Sequence, residues 1–219
     1  MCGVVGLIGE PSAGEKLYPA LFALQHRGQD AAGILSYDFD QNEFYLHKEI
    51  GLVQDVFAHA KYQEMQGSMA LGHTRYSTIG SLNKDDIQPM FLSYPHGIGM
   101  VHNGNVTNYK EVVNYLRERE LRRTFSQSDL ELLLHMTGVG LADHKDKTLP
   151  QALSLSIQNL LKKVEGAYSV IGMLADQGLF AFSDQNGIRP LLIGRKKQGD
   201  EYSYCFSSEK QVFQVLEYE

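Results

Sequence analysis

The order of its elements constrains this chain more than any single motif. Strand-like runs follow one another across short turns, and helical segments come in blocks instead of one between every two strands. Residues 3–9 form a compact apolar run, and residues 33–37 and 43–48 read as strands on either side of a turn signal at 38–42. Residues 14–25 place Leu17, Ala20, Leu21 and Leu24 at helical spacing. Residues 68–73 and 97–102 read as strands that end in polar sets. Helices are predicted over 109–120, 129–138 and 149–164. Strands return at 167–175, 179–183, 191–194 and 202–207, before a last helix from about residue 209. Neighbouring antiparallel strands need only a tight turn, whereas parallel ones need a long crossover. The pattern therefore predicts an α+β chain: antiparallel sheets covered by helices, in one domain over residues 1–219.

Bulk composition narrows the function. The 219 residues are 43% hydrophobic and 21% charged, which suits a packed globular core. No apolar run approaches the roughly 20 residues of a membrane helix. A basic leader followed by an apolar segment is absent, which points away from secretion and toward the cytoplasm. Two cysteines, Cys2 and Cys205, are too few for a disulfide framework. The net charge of −6 without a basic stripe argues against nucleic acid as partner. Eight histidines show no zinc-type spacing, so no metal is expected.

Chemistry concentrates at the head of the chain, Met1-Cys2-Gly3-Val4-Val5-Gly6. Removal of Met1 ahead of a small residue would leave Cys2 with a thiol and a free α-amine together. That amine titrates at about 7.7–8, so it can take the thiol proton near neutral pH. Four further sets carry two readings each. His26-Arg27-Gly28-Gln29-Asp30 is either a polar loop in which Arg27 acts on Cys2, or a helix end with Gly28 left-handed and Arg27 on the dipole; spacing alone favours the helix end. Gly72-His73-Thr74-Arg75-Tyr76-Ser77-Thr78 ends a strand with an Arg whose fork suits a carboxylate, from a substrate or from an internal acid. The polar stretch 79–88 after it reads as a lid or an ordinary loop. His102-Asn103-Gly104-Asn105 offers two donors for an oxyanion, although Asn-Gly more often marks a turn. Ser128-Asp129-Leu130-Glu131 reads as a capping box, with Asp129 placed either for the helix dipole or for a substrate ammonium. His73 and His102 read as core histidines close to the suspected site.

Together these segments resemble the class II, N-terminal-nucleophile glutamine amidotransferases. Gly166-Ala167-Tyr168-Ser169, Asn186-Gly187-Ile188-Arg189-Pro190-Leu191 and Ser207-Ser208-Glu209 fit as well, in the family's order over nearly the whole chain. The likeness is especially close to the glutaminase part of members that carry a phosphoribosyltransferase domain and open de novo purine synthesis. Ser183-Asp184-Gln185 departs from the usual Arg-Asp-Pro, and Ser77 stands where close relatives often have Pro.

The resemblance implies a four-layer α-β-β-α fold, two antiparallel sheets between helical layers. It implies that Cys2 attacks the glutamine amide with its own α-amine as base. Asn103 and Gly104 would hold the oxyanion. Arg75 would bind the α-carboxylate beside Tyr76 and Thr78, Asp129 would bind the α-ammonium, and Arg27 and His73 would support them. No cofactor is implied here. Mg²⁺ belongs with the phosphoribosyltransferase half, which lies outside these residues, so the sequence is expected to be an excised glutaminase domain. L-glutamine, that domain or an acceptor subunit, and a second copy of the chain are the partners implied. Alternatives are a stand-alone or sibling amidotransferase with another acceptor, an inactive glutamine-sensing module, and a papain-type set of Cys2, His73 or His102, and Asn103.

Overall fold

The structure is a computed structural model and describes residues 1–76 and 83–219. Its elements are β1 (Gly3–Ile8), α1 (Ala13–Ala23), β2 (Ala31–Asp38), β3 (Glu43–Ile50), α2 (Val53–Val56), β4 (Met69–Arg75), β5 (Met90–Leu92), β6 (Ile98–Val106), α3 (Tyr109–Arg119), α4 (Asp129–Asp143), α5 (Leu149–Lys163), β7 (Gly166–Leu174), β8 (Gly178–Ser183), β9 (Leu192–Gln198), β10 (Glu201–Ser207) and α6 (Gln211–Leu216). A six-stranded sheet runs β3-β2-β4-β1-β10-β9 and a four-stranded sheet runs β5-β6-β7-β8. The neighbouring strands pair antiparallel.

Alternation along β1 shows how the layers form. Val5 and Leu7 turn to one face and pack with Leu17 and Leu21 of α1 and Val212 and Phe213 of α6. Val4 turns to the other face and joins Leu35, Met69 and Leu71 against Val101, Ile171 and Met173 of the second sheet. The outer face of that second sheet, with Met100 and Val170, is covered by Leu130, Leu133 and Leu134 of α4 and Leu160 of α5. The order is helix, sheet, sheet, helix, as the resemblance implies. Packing between α4 and α5 lets Gly140 lie on Ser156 with no room for a Cβ. Among the described residues no helix is long and apolar enough to cross a membrane.

Local expectations of element type hold for the strands and helices named above, with shifted ends. The larger change is at α4, which runs to Asp143 instead of stopping near residue 138. Gly138 and Gly140 weaken helix propensity, yet both are buried in the packed layer and the helix continues through them.

Candidate active site

Strand alternation brings the candidate residues to one end of the layer between the sheets. In the β1–β4 register Gly3 pairs with Thr74 and Val4 with His73. One further step sets Cys2 against Arg75, and Cys2, Val4, His73 and Arg75 share the face toward the second sheet. The Cys2 Sγ lies 4.0 Å from the Tyr76 carbonyl oxygen. Burial pushes the Cys2 thiol above its ordinary 9.0; a backbone contact at Tyr76, the terminal ammonium and the Arg75 and Arg27 guanidinium groups oppose that rise. The Tyr76 side chain itself is exposed.

Arg27 belongs to this end of the layer. It closes a 3-10 turn, Gln25–Arg27, and Gly28 is extended at φ −164°, so the expected left-handed helix end is not formed. The reason is contact: a Cβ on Gly28 would run into the backbone of Thr74 and Arg75. Arg27 Nε donates to the Cys2 carbonyl at 3.0 Å, and Nη1 donates to Glu209 Oε1 at 2.5 Å. Arg27 and His26 hold the Glu209 carboxyl below its ordinary range, against the opposing effect of burial.

Arg75 has an internal acid beside it. Its Nη1 donates to the Asp86 carbonyl, and its Nη2 lies 3.4 Å from Asp86 Oδ2. Asp86 Oδ1 in turn accepts from Gln127 N at 2.9 Å, just ahead of α4. Asp129 opens that helix, and its Oδ2 accepts from Val106 N at 2.9 Å, which ties it to the end of β6. Burial raises the Asp129 carboxyl above its ordinary 3.8. Ser128 is the N-cap residue, but its side chain makes no capping bond. Glu131 reaches past it to Phe125 N, Ser126 N and Ser126 Oγ. The expected capping box is therefore replaced by a carboxylate that folds the preceding loop onto the helix.

Asn103-Gly104 is strand, not turn. Asn103 pairs with Ser169 and Gly104 with Tyr168, inside β6. Gly104 has φ +152°, and a Cβ there would meet Ala167 and Tyr168, so the position requires glycine. The Asn103 Nδ2 is buried and has no hydrogen-bond partner among the described residues. Asn103 shares its face with Gly99 and Val101, toward the first sheet. His102 points the other way. Gln88 holds it twice, through Oε1 to the backbone N–H at 2.7 Å and through Nε2 to the ring Nδ1 at 2.9 Å. Burial, reinforced by the charges of Arg189 and Arg75, lowers His102 to about 4, and burial takes His73 well below 6.5.

The structure thus gathers Cys2, Arg27, His73, Arg75 and Asn103 at one end of the layer, with Asp129 tied to β6. Thr78 and residues 79–82 of the suggested lid lie outside the described residues, while the rest of that stretch includes a 3-10 turn, Lys84–Asp86. Sequence reasoning missed Asp86, Gln88 and the pairing role of Glu209. For Asp86 the available signal was an acid within reach of the strand-end Arg75. Arg189 also lies here: its Nη1 sits 3.0 Å from Met1 Sδ. No group of three or more metal-ligating side chains occurs among the described residues.

A nucleophile candidate and an Arg side by side at the head of a central strand, between two antiparallel sheets, define a class, and residues 73–215 match the model of the glutamine amidotransferase domain. The chain belongs to that family. Its similarity extends over its whole length to amidophosphoribosyltransferase of Pasteurella multocida, 40% identical over 221 residues, and of Escherichia coli, 38% identical over 218 residues. The match covers 100% and 99% of this chain but only 44% and 43% of those proteins, so the chain spans less than half their length. The solved glutamine phosphoribosylpyrophosphate amidotransferase of B. subtilis, complexed with ADP and GMP, superposes with a TM-score of 0.81 at 31% identity. That superposition covers 99% of this chain and 44% of the other.

Proposed function

We propose that this chain hydrolyses the side-chain amide of L-glutamine to glutamate and ammonia through a thioester on Cys2. The ammonia then forms phosphoribosylamine at a phosphoribosyl acceptor site, the first step of de novo purine synthesis in the cytoplasm. The observation that carries this reading is the β1–β4 register, Gly3 opposite Thr74, which one step further sets Cys2 beside Arg75, a nucleophile next to a carboxylate binder.

In this reading Met1 is removed and the α-amine of Cys2 takes the thiol proton. Burial raises the thiol, so a base bonded to the same residue answers a real need. The sulfur forms a bond to the amide carbon, and the negative charge falls on the amide oxygen. Asn103 Nδ2 and the Gly104 N–H receive that charge. An amide nitrogen that is buried without a partner supports this role, because an unmade bond costs stability that a reacting oxyanion would recover. The α-ammonium of Cys2 returns the proton to the departing ammonia as the C–N bond breaks. Water then attacks the thioester, the C–S bond breaks and glutamate leaves.

Arg75 would take the α-carboxylate with Tyr76 and Thr78 alongside. Its fork has five N–H donors, and among the described residues Asp86 engages two of them. Asp129 would take the α-ammonium; a half-buried carboxylate raised by burial gains from a cation. Arg27 would fix the Cys2 backbone, and His73 would pack as a neutral ring. Residues 1–219 form the glutaminase unit and need no cofactor for this half-reaction. Mg²⁺ would act with the phosphoribosyltransferase domain or acceptor subunit.

A thiol–imidazole mechanism fits less well. Burial lowers His102 to about 4 and takes His73 well below 6.5, so either ring is a weak base toward a thiol, and His102 also faces the helical side of its sheet. The deciding experiment is the intact mass after treatment with diazo-oxo-norleucine. The expected species lacks Met1 and carries one adduct on Cys2. Full turnover by a protein whose α-amine is acetylated would overturn the amine as base, and an adduct elsewhere would overturn Cys2.

A further inference from the structure

The segment from Asp86 to Pro89 touches β4 at Arg75, β6 at His102 and the loop just ahead of α4. Asp86 is 8% exposed and Gln88 is 4% exposed. Asp86 meets Arg75 through both its carbonyl and its carboxylate. The same carboxylate accepts from Gln127 N, two residues before Asp129. Gln88 grips His102, the residue before Asn103, by backbone and ring. Lys48 Nζ pins the segment from outside, donating to the Ile87 carbonyl at 2.6 Å and the Pro89 carbonyl at 3.0 Å. Gly33 lies against Gln88 and Pro89 with no room for a Cβ.

We propose that Asp86 is a positioning residue for amino-acid recognition. It orients the Arg75 guanidinium and fixes the distance between that cation and the Asp129 carboxylate. The inference rests on the reading that Arg75 and Asp129 bind the two ends of a glutamine zwitterion. The physical argument is geometric. An Arg side chain at a strand end has several rotatable bonds, and a ligand that must order them binds less tightly than one meeting a fork already held. The two contacts with Asp86 hold the fork before substrate arrives. The bond to Gln127 carries the same constraint to the start of α4, so both charges move as one frame.

The test is steady-state glutaminase kinetics with glutamine and with its α-carboxamide analogue, which lacks the carboxylate. Asp86→Asn is the main variant, since its side-chain oxygen can still accept from Gln127 while the charge facing Arg75 is lost. Expected is a rise of about tenfold in KM for glutamine with kcat within about threefold, and little change with the analogue. Asp86→Glu should recover part of the KM. In an Arg75→Ala background, Asp86→Asn should add no further KM change. Equal losses on glutamine and the analogue, or additive effects of the two substitutions, would overturn the positioning role. If Arg75→Ala itself leaves KM unchanged, the reading of Arg75 fails first and takes this inference with it. If Arg75→Ala raises KM and Asp86→Asn does not, only the inference fails. Melting temperatures of each variant separate loss of fold from loss of aim.

Discussion

The two ends of β1 carry polar clusters of opposite character. Beyond its C-terminal end Glu10 is 1% exposed, yet its carboxylate is fully engaged. Lys16 Nζ, Gln198 Nε2, Ser203 Oγ and Tyr218 OH all donate to it. Burial alone would raise the Glu10 carboxyl, but these partners hold it below 4.5. At the Cys2 end the bonds are left unmade. Arg27 Nη2, Asn103 Nδ2, Ser169 Oγ and Arg189 Nε are buried without partners among the described residues. A saturated cluster holds the fold together, whereas buried polar atoms without partners lower stability and occur most often at functional sites. The contrast is one of degree, since Ser36, His135 and His144 also carry atoms without partners among the described residues, away from this end. A cleft of about 180 Å³ opens beside Glu10, lined by Lys16, Lys196 and Tyr218, at the saturated end and away from the thiol.

The sharpest way to break the comparison is to exchange its outcomes. Asn103→Ala is expected to cut kcat by about 10²–10³-fold, with little loss of melting temperature because the Nδ2 it removes has no partner among the described residues. If stability falls and kcat holds, the unsaturated end is structural after all. Glu10→Ala should do the reverse. Loss of a buried, paired acid is expected to cost about 3 kcal/mol in denaturant unfolding, with kcat unchanged; a drop in kcat would tie the two ends together.

A third test uses pH. His102 titrates at about 4 in the folded protein, against 6.5 when unfolded. Between those values the unfolded chain takes up a proton that the folded one refuses. Stability is therefore full above 6.5 and declines as the pH falls toward 4, by roughly 3 kcal/mol from this group. His102→Asn should flatten that part of the profile in urea titrations. The Glu10 contribution lies lower: its folded pKa is depressed, so it is complete above 4.5 and fades as the pH drops through the folded value. The smallest effect is expected from Ser36→Ala. Removing an unpartnered hydroxyl far from Cys2 should leave stability unchanged or raised by up to about 1 kcal/mol, with kcat intact.

Much of the fold was legible because its signals are local. Alternation, turn residues and helical spacing marked most strands and helices, though not β5 or the full length of α4. Pairing was not legible from those signals. Val5 lies opposite Ser207, two hundred residues away, and no periodicity states that partnership. The same limit explains the site. Asn103-Gly104 carries a local turn signal, yet pairing with Ser169 and Tyr168 holds it as strand. Ser128 and Glu131 have capping-box spacing, but the loop at 125–126 offers Glu131 nearer N–H groups. Gly28 sits where a helix end was plausible, and contact with β4 keeps it extended. Asp86 has no pattern of its own; only the folded chain shows that it faces Arg75.

Gly28 also gives the molecule a mechanical weakness. With main chain packed directly on main chain at Thr74 and Arg75, one added methyl has nowhere to rotate and must be absorbed as displacement. That displacement would push the strand carrying the guanidinium away from the sulfur it neighbours. A change in an apolar-looking bend would then surface as misaimed chemistry, in a protein that still melts as one cooperative body.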